Sequence, residues 1–253
     1  MKKYLTTFPI VTGNKKRLIT TYRSNSNGEH LRSKHITALH ELEQHYKIDT
    51  EYSFAYLKEQ SIKKLVNKHI YNSYFYQFDL SNFFGSIDHQ ILLSKLKSTD
   101  LEFNKQLIAE CANNKQVGLA LGLIPSPYLS NIYLTEFDSQ LVLRLKKIDD
   151  SIVYTRYSDD LTISSKVELD IQAITYIISA LLTAVNLELN SSKTKSTQLL
   201  NKGQHIKILG LNIVYGQDIN YITVGRKFKR HAQFEFDPTR KHAMDSYIKY
   251  NEQ

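Results

Sequence analysis

Apolar positions along the chain recur in two periods, and the changes of period mark its elements. Residues 31–46 and 61–69 carry apolar side chains at helical spacing. Residues 74–80 form an aromatic run, the pattern of a buried strand. A short helix follows, with Ile91, Leu92 and Leu96 on one face. A second helix over 103–113 carries Leu107, Ile108 and Cys111 on its stripe, which makes Cys111 a core filler. Ser126-Pro127 opens a longer helix, since Ser is a favoured N-cap and Pro a favoured first helical residue. Leu129, Tyr133, Phe137, Leu141 and Leu145 continue its stripe. Residues 151–156 and 161–164 read as strands bracketing a tight polar turn. Ile171, Ile174, Ile177, Ile178, Leu181, Leu182 and Val185 then return to the helical period. Residues 206–214 and 221–224 read as two further strands joined by a Gly-containing turn. Near the start, Thr12-Gly13-Asn14 reads as a hairpin tip entering a strand over 15–20, and residues 22–29 read as a loop. This order of elements predicts an α+β fold, an antiparallel sheet with helices on one face.

Composition narrows the class. A chain of 253 residues suits one large domain or two small ones sharing a core. With 42% hydrophobic residues and a mean hydropathy of −0.37, disorder is a poor reading. No run approaches the roughly 20 apolar residues of a membrane span, and Met1-Lys2-Lys3-Tyr4 leads into no apolar signal segment. The expectation is a cytoplasmic protein with no membrane partner. One cysteine excludes an internal disulfide and any Cys-based zinc site. The 33 Lys and Arg against 25 Asp and Glu leave a net charge of +8, which favours polyanions through counterion release. The 17 tyrosines add surfaces on which bases stack.

Acidic residues stand at two strand ends. Asp79 closes the aromatic run in Phe78-Asp79-Leu80-Ser81-Asn82-Phe83-Phe84, and Asp159-Asp160 occupy the turn of the later hairpin. Asp in a hairpin turn also suits ordinary turn chemistry. Two carboxylates about 4 Å apart, however, repel by roughly 4 kcal/mol at an effective dielectric near 20. A pair of Mg²⁺ ions, or Mn²⁺ in their place, would relieve that repulsion and bridge to substrate phosphates.

These residues resemble a known family. The run from Phe78 to Ile87 resembles motif A of reverse transcriptases from retrons and group II introns, and Tyr157-Ser158-Asp159-Asp160 resembles their Tyr-x-Asp-Asp motif C. Gly122-Leu123-Ile124-Pro125-Ser126-Pro127-Tyr128-Leu129-Ser130-Asn131 is similar to motif B, and Asn190-Ser191-Ser192-Lys193-Thr194 to motif D. Ile208-Leu209-Gly210-Leu211 looks like the strand entering the primer grip. Ser61-Ile62 with His69 keeps the spacing of a fingers segment, although Leu65 and Val66 replace the usual Asn-Ala.

The resemblance implies a polymerase right hand: fingers over 1–73, a palm over 74–214 with finger-side insertions around 98–120, and a primer grip with a short basic thumb over 215–253. It implies that Asp79 and Asp159 ligate both metals, with Asp160 alongside and the Leu80 carbonyl assisting. Phe84 would be the steric gate against a ribose 2′-hydroxyl, Gly122 would let the backbone approach the nascent base pair, and Arg17 and Lys193 would meet the triphosphate. Arg226, Lys227, Lys229 and Arg230 would read nucleic-acid phosphates. Leu121 stands where retron-type enzymes usually carry Gln, which puts template-side contacts in question. The implied activity is RNA-directed DNA synthesis from dNTPs on a bound RNA template, in an antiphage or retron-like system. A structured non-coding RNA, a partner protein or self-assembly would complete the thumb. Other readings stay open: an RNA-binding scaffold with a degenerate palm, template-independent synthesis, or priming from a protein hydroxyl such as Tyr247 or Tyr250.

Overall fold

The computed structural model of the protein describes residues 3–12, 15–96, 100–216 and 219–252. Its main sheet is antiparallel and four-stranded, in the order β4 (Val153–Tyr157), β5 (Asp160–Ser165), β3 (Tyr74–Asp79), β6 (Lys195–Gln198). The aromatic run becomes an inner strand because it has apolar side chains for both faces: Tyr76 and Phe78 enter one core cluster, Phe75 the other.

The first face is covered by helices α4 (His89–Lys95), α5 (Leu101–Cys111), α6 (Ser126–Lys146) and α7 (Ile171–Thr183). The expected stripe of α6, from Leu129 to Leu145, is buried throughout, and Cys111 is a fully buried free thiol. Side chains of this size stabilise the fold by about 1.5–3 kcal/mol each when fully buried. Asp88 and Asp170 start α4 and α7 by accepting hydrogen bonds from Gln90 and Gln172 amides. The second face meets α2 (Ile62–Lys68) and an antiparallel meander of β7 (His205–Ile208), β8 (Leu211–Val214) and β9 (Tyr221–Val224). Leu65, Val66, Phe75, Ile206, Ile208, Leu211 and Ile213 form its core.

At the N-terminus, β1 (Leu5–Thr12) and β2 (Lys15–Tyr22) make an antiparallel hairpin, followed by α1 (Ser26–His45). The predicted hairpin tip at Gly13 and Asn14 lies outside the described residues. At the other end, α8 (Arg226–Gln233) and α9 (Pro238–Glu252) close onto β9, where the Glu252 carboxylate accepts the Val224 amide at 2.9 Å. No helix among the described residues is long and apolar enough to cross a membrane.

Three local expectations are corrected. The loop expected over 22–29 is confined to residues 23–25 and gives way to helix at Ser26, because the Asn25 side chain caps α1 by accepting the Gly28 amide at 2.8 Å. The strand expected over 206–214 is a hairpin: Leu209 and Gly210 have φ of 50° and 96°, the pair of positive values a two-residue primed turn requires. Ser126 is not a cap. It is already helical, its amide bonding Leu123 at 3.3 Å, and its buried side chain makes no capping hydrogen bond.

Candidate active site

Sheet register decides what faces Asp79. Asp79, the last residue of β3, is paired directly with Asp160, the first residue of β5. Tyr157 pairs with Asp160 across the β4–β5 hairpin, which leaves Ser158 and Asp159 as its two-residue turn. Ser158 has φ 59°, as primed hairpin turns need at their first central position. The Leu80 amide donates to the Asp159 carbonyl at 3.0 Å, so the three aspartates share one corner of the sheet. Side chains directly opposed in an antiparallel pair have Cβ atoms about 4.5–5.5 Å apart, and like charges there destabilise.

A positive group answers that repulsion. The Lys193 ammonium, in a single 3₁₀ turn Ser191–Lys193, pairs with Asp79 Oδ2. Asn190 donates its side-chain amide to Asp79 Oδ1 at 3.3 Å and its backbone N–H to the Asp79 carbonyl at 2.7 Å. Lys193 was expected at a triphosphate; here it sits on the carboxylate itself. Among the described residues, no group of three or more His, Cys, Asp or Glu side chains is arranged to hold a metal ion. The backbone gathers the aspartates, and their side chains would have to reorient around a metal. The donor chemistry nevertheless fits one: hard carboxylate oxygens, with a cation already seated on the most buried of them, Asp79, at 7% exposure.

Phe84 follows on α3 (Phe83–Ser86), buried at 8% exposure and edge-on to Phe83 and Tyr56 at centroid distances of 5.4 and 6.5 Å. Tyr56 donates its hydroxyl to Ser158 Oγ at 3.2 Å. Burial raises the pKa of this phenol and so does the charge of Asp159, whereas the Ser158 bond and the Arg17 guanidinium oppose the rise. Arg17, exposed on β2, is therefore within electrostatic reach of Tyr56.

Gly122 has a structural reason to be glycine. Its φ is +100°, and a Cβ there would lie 2.4 Å from the Thr20 carbonyl oxygen of β2. The neighbouring Leu121 carbonyl accepts the Thr20 amide at 2.8 Å, fastening the hairpin to the segment before α6. Of the four basic residues named on α8, Arg226, Lys227 and Arg230 are exposed, while Lys229 pairs with Glu252 at 2.6 Å. Tyr247 packs on Phe228 at 5.2 Å, and Tyr250 lies under the Lys63 ammonium at 4.7 Å.

Sequence reasoning missed the support behind the turn. Arg156, fully buried on β4, makes a forked ion pair with Asp138 of α6 at 2.7–3.1 Å. It also donates to Asn131 Oδ1 at 3.0 Å, Ser53 Oγ at 3.2 Å and the Ser158 carbonyl at 3.3 Å. Tyr154 donates to Asp138 at 2.7 Å. Burial works against the guanidinium charge, but the Asp138 carboxylate outweighs it and the Arg156 pKa is raised. The network ties the 53–56 segment, α6 and the Ser158-Asp159 turn together. The available signal was an Arg inside an apolar strand and an Asp inside the buried face of a helix.

Comparison with known proteins agrees with this geometry. The family described as "Reverse transcriptase (RNA-dependent DNA polymerase)" matches residues 14–213. The retron Ec83 reverse transcriptase of Escherichia coli is 27% identical over 200 residues, covering 70% of this chain and 58% of that protein. The retron Ec73 enzyme of the same organism is 30% identical over 128 residues, covering 46% of this chain and 40% of its own length. The chain thus spans roughly half of these curated relatives. Among solved structures, telomerase from Candida albicans in complex with a fragment of telomeric RNA superposes with a TM-score of 0.60 at 11% identity, over 89% of this chain and 48% of that one. Telomerase from Candida tropicalis, also with a telomeric RNA fragment, gives 0.57 at 13% identity, over 82% and 43%. These two likenesses show the fold alone, an α+β polymerase fold. The match over residues 14–213 places the chain in the reverse transcriptase family.

Proposed function

We propose that the protein is an RNA-directed DNA polymerase that uses two divalent metal ions, Mg²⁺ by preference, to add dNTPs to a primer on a bound RNA template. The observation that carries this reading is the register that sets Asp79 opposite Asp160, with Asp159 in the adjoining turn. Reverse transcriptases generally use divalent metal ions. When bound, such ions stabilise an attacking 3′-oxygen and a leaving pyrophosphate. In this chain Asp79 and Asp159 are the proposed shared ligands, with Asp160 and the Leu80 carbonyl beside them, and Lys193 cedes Asp79 on loading. Phe84 excludes the ribose 2′-hydroxyl, Arg17 meets the triphosphate from the β1–β2 hairpin, and Gly122 lets the segment before α6 approach the nascent pair. Arg226, Lys227 and Arg230 hold backbone phosphates.

In this reading residues 1–73 act as fingers, 74–214 as palm, and 215–253 as primer grip and basic thumb. The retron enzymes among its relatives support a structured non-coding RNA as partner, and we extend the proposal to a cytoplasmic, antiphage setting. The test is extension of a primer on RNA with dNTPs and Mg²⁺, followed by sequencing of the product. A DNA copy of the supplied RNA is expected, and Asp159→Asn/Asp160→Asn should lower synthesis by at least about 100-fold. RNA binding with no metal-dependent synthesis would leave a scaffold. Product unrelated to the supplied template would mean untemplated polymerisation.

A further inference from the structure

Tyr56, like Arg156, stands beside the Ser158-Asp159 turn without any motif having singled it out. Its backbone has φ 63°, a conformation a bulky side chain adopts only when its surroundings impose it. The imposition is visible. Phe54 donates its amide to the Arg156 carbonyl at 3.0 Å, the Arg156 amide donates to the Tyr52 carbonyl at 2.7 Å, and the Ala55 carbonyl accepts the Asn131 side chain at 2.9 Å. The segment is thereby sewn to the strand that leads into Ser158-Asp159, and the left-handed turn at Tyr56 throws its ring outward beside that turn.

The ring then makes three contacts. Its hydroxyl donates to Ser158 Oγ at 3.2 Å. It stands perpendicular to Phe84 at 6.5 Å and tilted against Tyr157 at 6.5 Å, both within the range of favourable aromatic pairs. Exposure separates the two members of the Tyr56–Phe84 pair: Phe84 is 8% exposed and Tyr56 48%. The aromatic surface beside the carboxylates therefore belongs mainly to Tyr56, with Phe84 behind it.

We infer that Tyr56 is a specificity-determining residue, the outer half of a two-ring wall, with Phe84 as the inner half, against which the sugar of an incoming nucleoside triphosphate is sorted. This rests on the polymerase reading given above. Its content is that Phe84 does not act alone: a rigid ring pinned at both ends, by strained backbone and by Ser158, fills the space that a 2′-hydroxyl would need.

The test measures kcat/KM for a dNTP and for the matching rNTP on a primed RNA template with the full chain. The ratio for Tyr56→Ala is expected to fall about tenfold, the scale on which loss of packing relaxes a substrate pocket. Tyr56→Phe keeps the ring and should retain most of the discrimination. Tyr56→Gly accepts φ 63° without strain, so it guards against a misfolded Ala variant and should also lose discrimination. A purely structural role would lower both rates together and leave the ratio in place, and that result overturns the inference while the polymerase stands. Equal use of both nucleotides by the wild type overturns the wall itself. No synthesis by the wild type overturns the underlying reading as well.

Discussion

Single side chains around the main sheet carry loads that their types alone do not announce. His69 is fully buried beneath the sheet, held between Ser164 Oγ and Thr155 Oγ1 at 2.7 Å each. Burial, with a smaller contribution from the Lys68 charge, lowers its pKa from 6.5 to about 3. The unfolded chain therefore binds a proton at His69 between about pH 6.5 and pH 3 that the folded chain refuses. Its contribution to stability is complete above pH 6.5 and is lost as pH falls toward 3. Denaturant midpoints measured from pH 7 to pH 4 should fall less steeply in His69→Gln than in the wild type. Identical slopes would mean that His69 is protonated in the fold. Arg156 and Asp138 show a different load. An isolated buried charge is expensive, so the forked pair is tolerable only because Asn131, Ser53, Tyr154 and the Ser158 carbonyl satisfy its remaining donors and acceptors.

At the scale of elements, the join between β2 and the segment before α6 is the most exposed to a small change. Gly122→Ala would place a methyl 2.4 Å from the Thr20 carbonyl oxygen in a left-handed backbone, and should cost about 1–3 kcal/mol or more in a denaturant titration. Gly203→Ala is the control: its φ is +86°, yet nothing lies within 4 Å of the added Cβ, so only the backbone term applies. Equal losses at the two sites would remove the close approach as a cause. The same elements show what was legible in the chain beforehand. Strands β3, β4 and β5, the long helix and the helix over 171–185 were readable because their apolar periods are uninterrupted, whereas the short polar strand β6 carries no such signal. The β7–β8 turn was not, because Leu209-Gly210 continues an apolar run and the turn is visible only in φ. The start of α1 was hidden by polar residues that serve equally as loop and as cap. At the site, Asp79, Asp159 and Asp160 stood out as acids at strand ends. Tyr56 did not, since its placement depends on a left-handed backbone, and neither did the Lys193–Asp79 ion pair, because a lysine's reach is invisible in a one-dimensional pattern.

The whole molecule is a basic body with an acidic corner. Its +8 charge draws polyanions, while the opposed aspartates repel them unless a cation intervenes. Lys193 fills that part without a metal. If Arg226, Lys227 and Arg230 hold phosphates, RNA affinity should fall steeply with salt, and each substitution by Ala should flatten the log–log slope by about 0.7 for a single strand. Slopes unchanged in all three variants would move the nucleic-acid path elsewhere on the surface. Mn²⁺ titration followed by electron paramagnetic resonance addresses the acidic corner itself. Saturable Mn²⁺ binding is expected in the wild type, tighter binding in Lys193→Met where the competing ammonium is gone, and a lost site in Asp79→Asn. Binding that is absent from the wild type, or indifferent to both substitutions, would contradict a metal-dependent polymerase centre at Asp79, Asp159 and Asp160.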